Sequence, residues 1–328
     1  MTGILNARIL AALGMIVFVA AIAVGASGAF FSDTETSTGN TFTAGDIDLQ
    51  IDNESYVTST STGVLIASPW TSWGMTDLIA GTHKFFDFID VKPGDVGEDT
   101  ISIHVGSNNA WMCAAARITD DSDQTLTEPE LAADLATSTF PGTGLGDLDT
   151  SLNFMFWADD GDNVLEIGEN PFINGSLAAM GALGSITLAD SQTSILGAAT
   201  PIPGGTTFYI AKAWCYGALS AGTTTQDTLG KVGTPQNPGS TPNGPLIRGT
   251  GVVCNGATAG NEGQTDRVQG DMQFYAVQSR NNAGFTCAQG YTPTWPAQCA
   301  DGLDNDGDTF VDLADAQCVN AADNNESI

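Results

Sequence analysis

The run Phe208-Tyr209-Ile210-Ala211-Lys212-Ala213-Trp214-Cys215 places its bulkiest side chains at every second position. Successive side chains of a β-strand point to opposite faces of the sheet, so this spacing favours a strand with one buried face. Helical periodicity is nearly absent, and short helices are expected only as loop insertions at residues 130–136 and 175–184. The pattern predicts an all-β protein, a jelly-roll-like antiparallel β-sandwich with loop insertions. Similar runs, separated by Gly, Pro and Asn, occupy residues 47–51, 86–91, 101–105, 153–157 and 272–277.

The composition excludes one broad class of function. Of 328 residues, 42% are apolar and 14% are charged, and 38 acidic residues stand against 9 basic ones, which gives a formal net charge of −29. Nucleic acids are bound through basic patches, which this chain cannot build. The same charge argues against electrostatic binding to an anionic membrane. Acid-rich loops with few lysines are typical of an extracellular β-protein that meets divalent cations.

The first 29 residues have the features of a secretory signal. Arg8 is the only charge in the first 32 residues and precedes the apolar run 9–25. Small residues at Ser27 and Ala29 predict cleavage between Ala29 and Phe30. The alternative is an uncleaved anchor helix, because the apolar stretch is long enough to span a bilayer if it is counted through Phe31.

Cysteine usage agrees with export. Six cysteines remain after cleavage, and an even number in an exported chain predicts disulfides. Cys299 and Cys318 flank one acidic loop and are expected to pair, whereas the pairing of the others stays open. We expect three parts: a signal peptide (1–29), a β-sandwich domain (30–290) and a small, disulfide-stapled acidic C-terminal appendix (291–328). The four unassigned cysteines are Cys113, Cys215, Cys254 and Cys287.

The appendix carries the strongest local motif for a metal. Carboxylates recur around Gly307 between the two cysteines. Calcium takes six to eight oxygen ligands, and carboxylates on a tight glycine-containing turn can converge on it. The spacing is not that of an EF-hand, and the alternative is a solvated acidic turn held by a disulfide. The predicted ligands are Asp301, Asp304, Asp306, Asp308 and Asp312.

A second acidic turn follows the strand that ends near Trp157. Its predicted ligands are Asp159, Asp160, Asp162 and Glu166, which surround Gly161. The acidic run 120–123, with Glu128 and Glu130, could share this site. The alternative is a polar hairpin tip. The two motifs together predict calcium as a structural cofactor.

Catalysis has little support in the sequence. His83 and His104 are the only histidines, and there is no HExxH motif, Gly-x-Ser-x-Gly elbow or phosphate-binding glycine loop. Carboxylates are so frequent that a pair of them does not indicate a glycosidase. We therefore expect a protein that is not an enzyme.

Residues 25–49 read GASGAFFSDTETSTGNTFTAGDIDL. This segment resembles the start of the TasA/camelysin family, whose SipW-type signal peptide is followed by FSDTE and N-x-F-x-A-G. A second similarity is the Lys92-Pro93-Gly94-Asp95 turn between the runs 86–91 and 101–105. Together the two matches cover roughly residues 15–115. The resemblance implies a jelly-roll sandwich that is exported, cleaved and built into biofilm-matrix fibres or archaeal bundling pili. Camelysin itself has been classed as a metalloprotease.

The expected function is that of a secreted structural subunit of an extracellular fibre or biofilm matrix, at the cell surface or in the matrix. Assembly would proceed by donor-strand pairing, a form of β-augmentation. Phe30 and Phe31, at the new N-terminus, would form the donor arm. The expected partner is another copy of the chain, with no nucleic acid and no membrane after signal cleavage. The alternatives are a calcium-dependent cell-surface adhesin and a camelysin-like metalloprotease.

Overall fold

The computed structural model describes residues 47–125, 127–133, 142–232, 242–300, 310 and 312–323. Within these residues the chain forms thirteen strands, five helices of four to six residues and four 3-10 turns. The strands are β1 (Leu49–Thr58), β2 (Leu65–Ala67), β3 (Trp73–Thr76), β4 (Val96–Val105), β5 (Ala110–Asp123), β6 (Gly142–Thr143), β7 (Leu152–Asp159), β8 (Pro171–Ser176), β9 (Ile186–Ala189), β10 (Thr207–Tyr216), β11 (Ala218–Ala221), β12 (Val252–Asn255) and β13 (Arg267–Gln278). The helices are α1 (Glu128–Ala133), α2 (Leu148–Ser151), α3 (Leu177–Gly181), α4 (Pro245–Arg248) and α5 (Cys287–Gly290), and the 3-10 turns are Pro69–Thr71, Gly256–Thr258, Gln298–Ala300 and Asp312–Ala314.

The strands form two main sheets and one separate hairpin. The larger sheet has the order β2-β1-β4-β10-β7-β8, with β3 also paired to β1. The smaller sheet has the order β13-β5-β6, with β9 also paired to β5, and β11 pairs only with β12. Every pair of these strands is antiparallel. The all-β, antiparallel sandwich predicted from the sequence is therefore confirmed.

The core lies between the two sheets, where the period-two runs bury their bulky side chains. In β10, Phe208, Ile210 and Trp214 join the main apolar cluster, while Ala211, Ala213 and Cys215 face the opposite side of the sheet. The inner face of the smaller sheet supplies the other half of the core, from Met112 and Ala114 on β5 and Phe274 on β13. Alternation along each strand thus gives both sheets one face in the core.

One predicted strand is wrong, and the reason is the lack of a neighbour. Residues 86–91 alternate as expected, because Phe86 and Phe88 pack against the core while Ile89 is 83% exposed. No strand is assigned to this segment in the described structure. Its rings instead pack on the larger sheet, Phe86 against Phe154 and Phe88 against Trp214. The alternation of apolar residues therefore predicted the alternating burial of this segment correctly, but it did not reveal whether a partner strand was present.

Short helices occur in both predicted regions. Helix α1 lies in the predicted 130–136 region and begins two residues earlier. Helix α3 covers only the centre of 175–184, where the Ser176 side chain accepts a hydrogen bond from the backbone N–H of Ala179 and caps it. Both helices lie between strands, as loop insertions should.

Each sheet carries an additional layer on its outer face, tied down by a disulfide. The hairpin β11–β12 covers the larger sheet and is linked to β10 by Cys215–Cys254. Residues 285–295 cover the smaller sheet and are linked to β5 by Cys113–Cys287. The predicted Cys299–Cys318 pair is also formed. Three disulfides fit an extracellular or otherwise oxidising environment.

The helices described above are all short. None of the helices within the described residues has the length and apolar character needed to cross a membrane.

Candidate metal centre

The acidic turn after β7 is shaped by its first carboxylate. Asp159 Oδ2 accepts hydrogen bonds from the backbone N–H groups of Gly161 and Asn163, at 2.9 and 3.0 Å. Its Oδ1 accepts a hydrogen bond from the indole Nε1 of Trp157 at 3.0 Å. Gly161 and Asn163 have φ values of 111° and 64°, in the region that favours Gly and Asn. The sequence Asp-Asp-Gly-Asp-Asn therefore folds into a tight turn with its acidic side chains crowded together.

Two groups of carboxylates in this turn could hold a metal ion. Asp159, Asp160 and Glu169 form the first group, and Asp160, Asp162 and Glu166 form the second. Within each group, one oxygen from each residue lies within 4.8 Å of the others. We call the five residues the β7 acidic cluster. Four of its members were predicted from the sequence.

Glu169 was missed by sequence reasoning. It follows Gly168, and its Oε2 accepts a hydrogen bond from the backbone N–H of Glu166 at 2.9 Å, which folds the chain back towards the turn. The Glu-x-x-Glu spacing with an intervening glycine was the available signal.

A basic residue, Arg248, contacts the β7 acidic cluster. Helix α4 presents it so that Nη1 lies 2.7 Å from Asp162 Oδ2 and 3.0 Å from Asp227 Oδ2, while Nη2 contacts Glu166 Oε1. Arg248 and Asp227 are more than 50 residues away in sequence, and no local pattern pointed to them. The guanidinium thus pairs with two carboxylates of the cluster and with Asp227.

Several polar atoms of the cluster, and of Asn163 within the same turn, are buried without a hydrogen-bond partner in the described structure. They are Asp160 Oδ1, Glu166 Oε2 and both polar side-chain atoms of Asn163. Glu166 is 0% exposed and Asn163 is 2% exposed. Buried polar atoms are normally satisfied, so these atoms point to a ligand that supplies the missing contacts.

Burial and mutual repulsion disfavour the ionised form of these carboxyl groups. Burial, reinforced by the charge of Asp160, raises the pKa of Asp159 to about 7. Burial and the neighbouring carboxylates raise the pKa of Asp162 and of Glu169 to about 8. The pKa of Asp160 is also raised, first by burial and then by the charge of Glu166. A bound cation would remove this repulsion.

The available ligands favour a hard cation. The groups that could hold a metal consist of carboxylates, which suit calcium, magnesium or manganese rather than zinc. His104 is bonded to Asp52, with Nε2 2.7 Å from Oδ2, and to Thr207, while Nδ1 of His83 accepts a hydrogen bond from the backbone N–H of Ile79. Neither histidine belongs to an acidic group.

The acidic run 120–123 does not share this centre. The structure instead groups Asp123 with Glu130 and Asp266 as a separate set of possible ligands. Glu130 Oε2 accepts a hydrogen bond from the backbone N–H of Thr127 at 2.9 Å. Arg267 Nε lies 2.7 Å from Asp120 Oδ2. The structure therefore does not bring the two sets together, because the second group is formed by the end of β5 (Asp123), helix α1 (Glu130) and the residue before β13 (Asp266).

Several predicted residues lie outside the described part of the chain. They include the cleavage residues Ala29 and Phe30 and the donor-arm residue Phe31. Asp312 begins a 3-10 turn, but its side chain is also outside the described part. The remaining predicted ligands outside it are Asp301, Asp304, Asp306 and Asp308.

Folding of the metal-free protein should weaken as pH rises from about 4 to 8. Asp159, Asp162 and Glu169 have raised pKa values in the folded state, so they ionise more easily in the unfolded chain. The free energy of unfolding is therefore highest below the unfolded pKa of these groups, and it falls until the pH passes about 7 to 8. Calcium needs ionised carboxylates, so its stabilising effect should be larger at pH 8 than at pH 5. At a hundred times the dissociation constant it should reach about 2.7 kcal/mol.

Thermal unfolding of dialysed protein at both pH values, with and without calcium, measures this effect. The Asp162→Asn variant is the matched control and should show a smaller calcium increment at pH 8. An equal increment at the two pH values would contradict the assignment.

Comparisons with known proteins add no family. No protein-family model matches the chain, and no curated protein matches it. The resemblance to the TasA/camelysin family therefore rests on the motifs at residues 25–49 and 86–105.

Proposed function

We propose that the protein is an exported structural subunit that assembles outside the cell by β-strand addition, with calcium stabilising its fold. The observation that supports assembly most directly is the edge strand β13. The N-terminal motif, the disulfides and the acidic surface support an extracellular setting.

Strand β13 is a long open edge. It has twelve residues and pairs with β5 alone among the described strands. In an antiparallel strand, every second residue directs its backbone N–H and C=O away from its partner. An edge of this length is a template for an added strand. The edge strand β8 of the other sheet has only six residues and begins with Pro171.

A groove beside β13 offers a place for apolar side chains of an added strand. Its volume is about 380 Å³, and it runs between residues 273–275 of β13 and residues 290–294. The rings of Tyr275 and Tyr291 stack along it, with centroids 5.1 Å apart. Phe30 or Phe31 of a neighbouring copy would gain about 1.5–3 kcal/mol by burial there. Each backbone hydrogen bond would add about 0.5–1.5 kcal/mol.

Calcium is the cation that fits this setting best. The β7 acidic cluster supplies carboxylate oxygens, the ligands that calcium prefers. Extracellular calcium modules bind with dissociation constants of about 10⁻⁴–10⁻³ M. The unsatisfied oxygens of Asp160 and Glu166 and the raised pKa values support a bound cation in the folded protein.

The assembly proposal is tested by deleting residues 30–36 from the chain that begins at Phe30. We expect the full chain to form filaments in negative-stain images, and the truncated chain to stay monomeric with unchanged circular dichroism. Filaments from the truncated chain at the same rate would exclude the arm as donor.

Hydrogen exchange identifies the acceptor edge. On assembly, the outward-facing amides of β13 should become protected, while those of β8 should exchange as they do in the monomer. Protection of β8 without β13 would place the acceptor on the other sheet.

The second candidate is a calcium-dependent adhesin. It is favoured by a stretch of chain, residues 64–89, in which large apolar side chains are exposed. They include Val64, Trp70, Met75, Ile79 and Ile89. A protein that stays monomeric with calcium and binds cell surfaces would support this function. Casein cleavage that a chelator abolishes would support the camelysin-like protease instead.

A further inference from the structure

We propose that the β7 acidic cluster binds two divalent cations, with Asp160 as the bridging ligand. This inference rests on the proposed calcium binding and specifies its stoichiometry and ligands. One ion would lie between Asp159, Asp160 and Glu169, and the other between Asp160, Asp162 and Glu166.

The two ligand groups share Asp160 and differ in their other members. A carboxylate has two oxygens and can bind one ion through each. Asp160 Oδ1 is buried without a hydrogen-bond partner, whereas Oδ2 accepts one long hydrogen bond, of 3.4 Å, from Nε2 of Gln226. Oδ1 is therefore free for one cation, and Oδ2 keeps a second lone pair for the other, as a bridge requires.

Independent evidence for a ligand comes from the unsatisfied atoms of fully buried side chains. Glu166 Oε2 has no partner, although Oε1 of the same residue contacts Arg248 and accepts a hydrogen bond from the backbone N–H of Asp227. The buried Asn163 side chain, within the same turn, also lacks hydrogen bonds. Glu166 Oε2 and the Asn163 side chain are thus left for an ion or its bound water.

The charge balance favours two ions over one. The five carboxylates of the cluster and Asp227 carry six negative charges when ionised, and Arg248 supplies one positive charge. One divalent ion would leave a net charge of −3, whereas two would leave −1. Two ions therefore allow all six groups to be ionised together at neutral pH, although three of them are buried and three are partly buried.

The ions would fasten the outer layer to the larger sheet. Glu166 pairs through its backbone with Thr224, and Asp227 and Gln226 contact Glu166 and Asp160. These contacts join the turn after β7 to the segment that follows β11. Loss of the ions should therefore expose residues 224–228 to proteolysis.

The experiment counts calcium ions bound to the folded chain by native mass spectrometry. Glu169→Gln and Glu166→Gln should each remove one ion relative to the unsubstituted protein, and Asp160→Asn should remove two. The difference cancels ions held elsewhere, including any on the C-terminal appendix. Asp271→Asn, which replaces a carboxylate paired with Arg117 on the other sheet, is the control and should leave the count unchanged.

The outcomes separate the two proposals. If each of the three cluster variants removes one ion, calcium binding stands and the two-ion centre is wrong. If none changes the count, calcium binding at this cluster fails as well.

Terbium luminescence excited through tryptophan gives a second measurement, because Trp157 hydrogen-bonds to Asp159. The signal should rise in two steps, and the Trp157→Phe variant should lose most of it. One saturable step would contradict the two-ion centre.

Discussion

Replacing Lys212 by methionine should lower the free energy of unfolding by about 3–5 kcal/mol. Lys212 is 0% exposed, and its Nζ lies 2.8 Å from Asp99 Oδ1 on the adjacent strand β4. Nζ also lies 3.4 Å from the centroid of the Phe86 ring, a cation–π contact inside the core. Removal of the lysine leaves the Asp99 carboxylate buried without its charge partner. Burial raises the pKa of Asp99 to about 6 even beside Lys212, so desolvation is already costly.

The double variant Lys212→Met/Asp99→Leu is the control for this prediction. Replacing both ions by apolar groups of similar size is often neutral or stabilising. We therefore expect the double variant to recover most of the stability lost in the single one. Urea unfolding of the wild type and the two variants measures the difference. Equal losses in the single and the double variant would show that packing, not the unpaired charge, sets the effect.

Removing the Cys113–Cys287 disulfide should cost about 5 kcal/mol, the largest effect expected among the three disulfides. The bond joins residues 174 apart in sequence, whereas Cys299 and Cys318 are 19 apart. The entropy of the unfolded chain depends on the logarithm of the loop length, so the shorter loop should contribute about 3 kcal/mol. Cys113 and Cys287 are both fully buried, so alanine at both positions also removes packing.

The paired variants Cys113→Ala/Cys287→Ala and Cys299→Ala/Cys318→Ala test this order by urea unfolding. The first variant should also loosen residues 285–295 over the outer face of the smaller sheet. Stacking of Tyr275 on Tyr291 would then be lost, and near-ultraviolet circular dichroism would report it. A larger loss of stability from the Cys299–Cys318 variant would contradict the loop-length argument.

Alternation of apolar and polar residues was sufficient to locate several of the strands. Runs within β1, β4, β7, β10 and β13 were found from alternation alone. In a half-buried strand, apolar and polar residues alternate because successive side chains face opposite sides of the sheet. Residues 86–91 carry the same alternation, yet Phe86 and Phe88 are held by ring packing rather than by a neighbouring strand. Hydrogen-bond partners of a strand lie far away in sequence, so a local pattern does not reveal them.

The acidic turn also combines residues that a local pattern reveals with residues that only folding brings together. Asp159, Asp160, Asp162 and Glu166 were recognised together because the turn that crowds them is made by adjacent residues. Arg248 and Asp227 reach the turn from distant segments, and only folding brings them there. Residues 120–123, which could have shared this site, contribute to a different group for the same reason: their neighbours in the fold are set by the pairing of β5, not by their composition.

By itself, the sequence determined the all-β class, the Cys299–Cys318 pair and the core of the acidic turn, since each depends on interactions between residues close in the chain. The tertiary structure decided the order of the strands, the Cys113–Cys287 and Cys215–Cys254 pairs, the Lys212–Asp99 ion pair in the core and the open edge of β13. Each of these depends on which distant segments pack together, and that choice comes from the burial of apolar side chains over the whole chain rather than from any local preference.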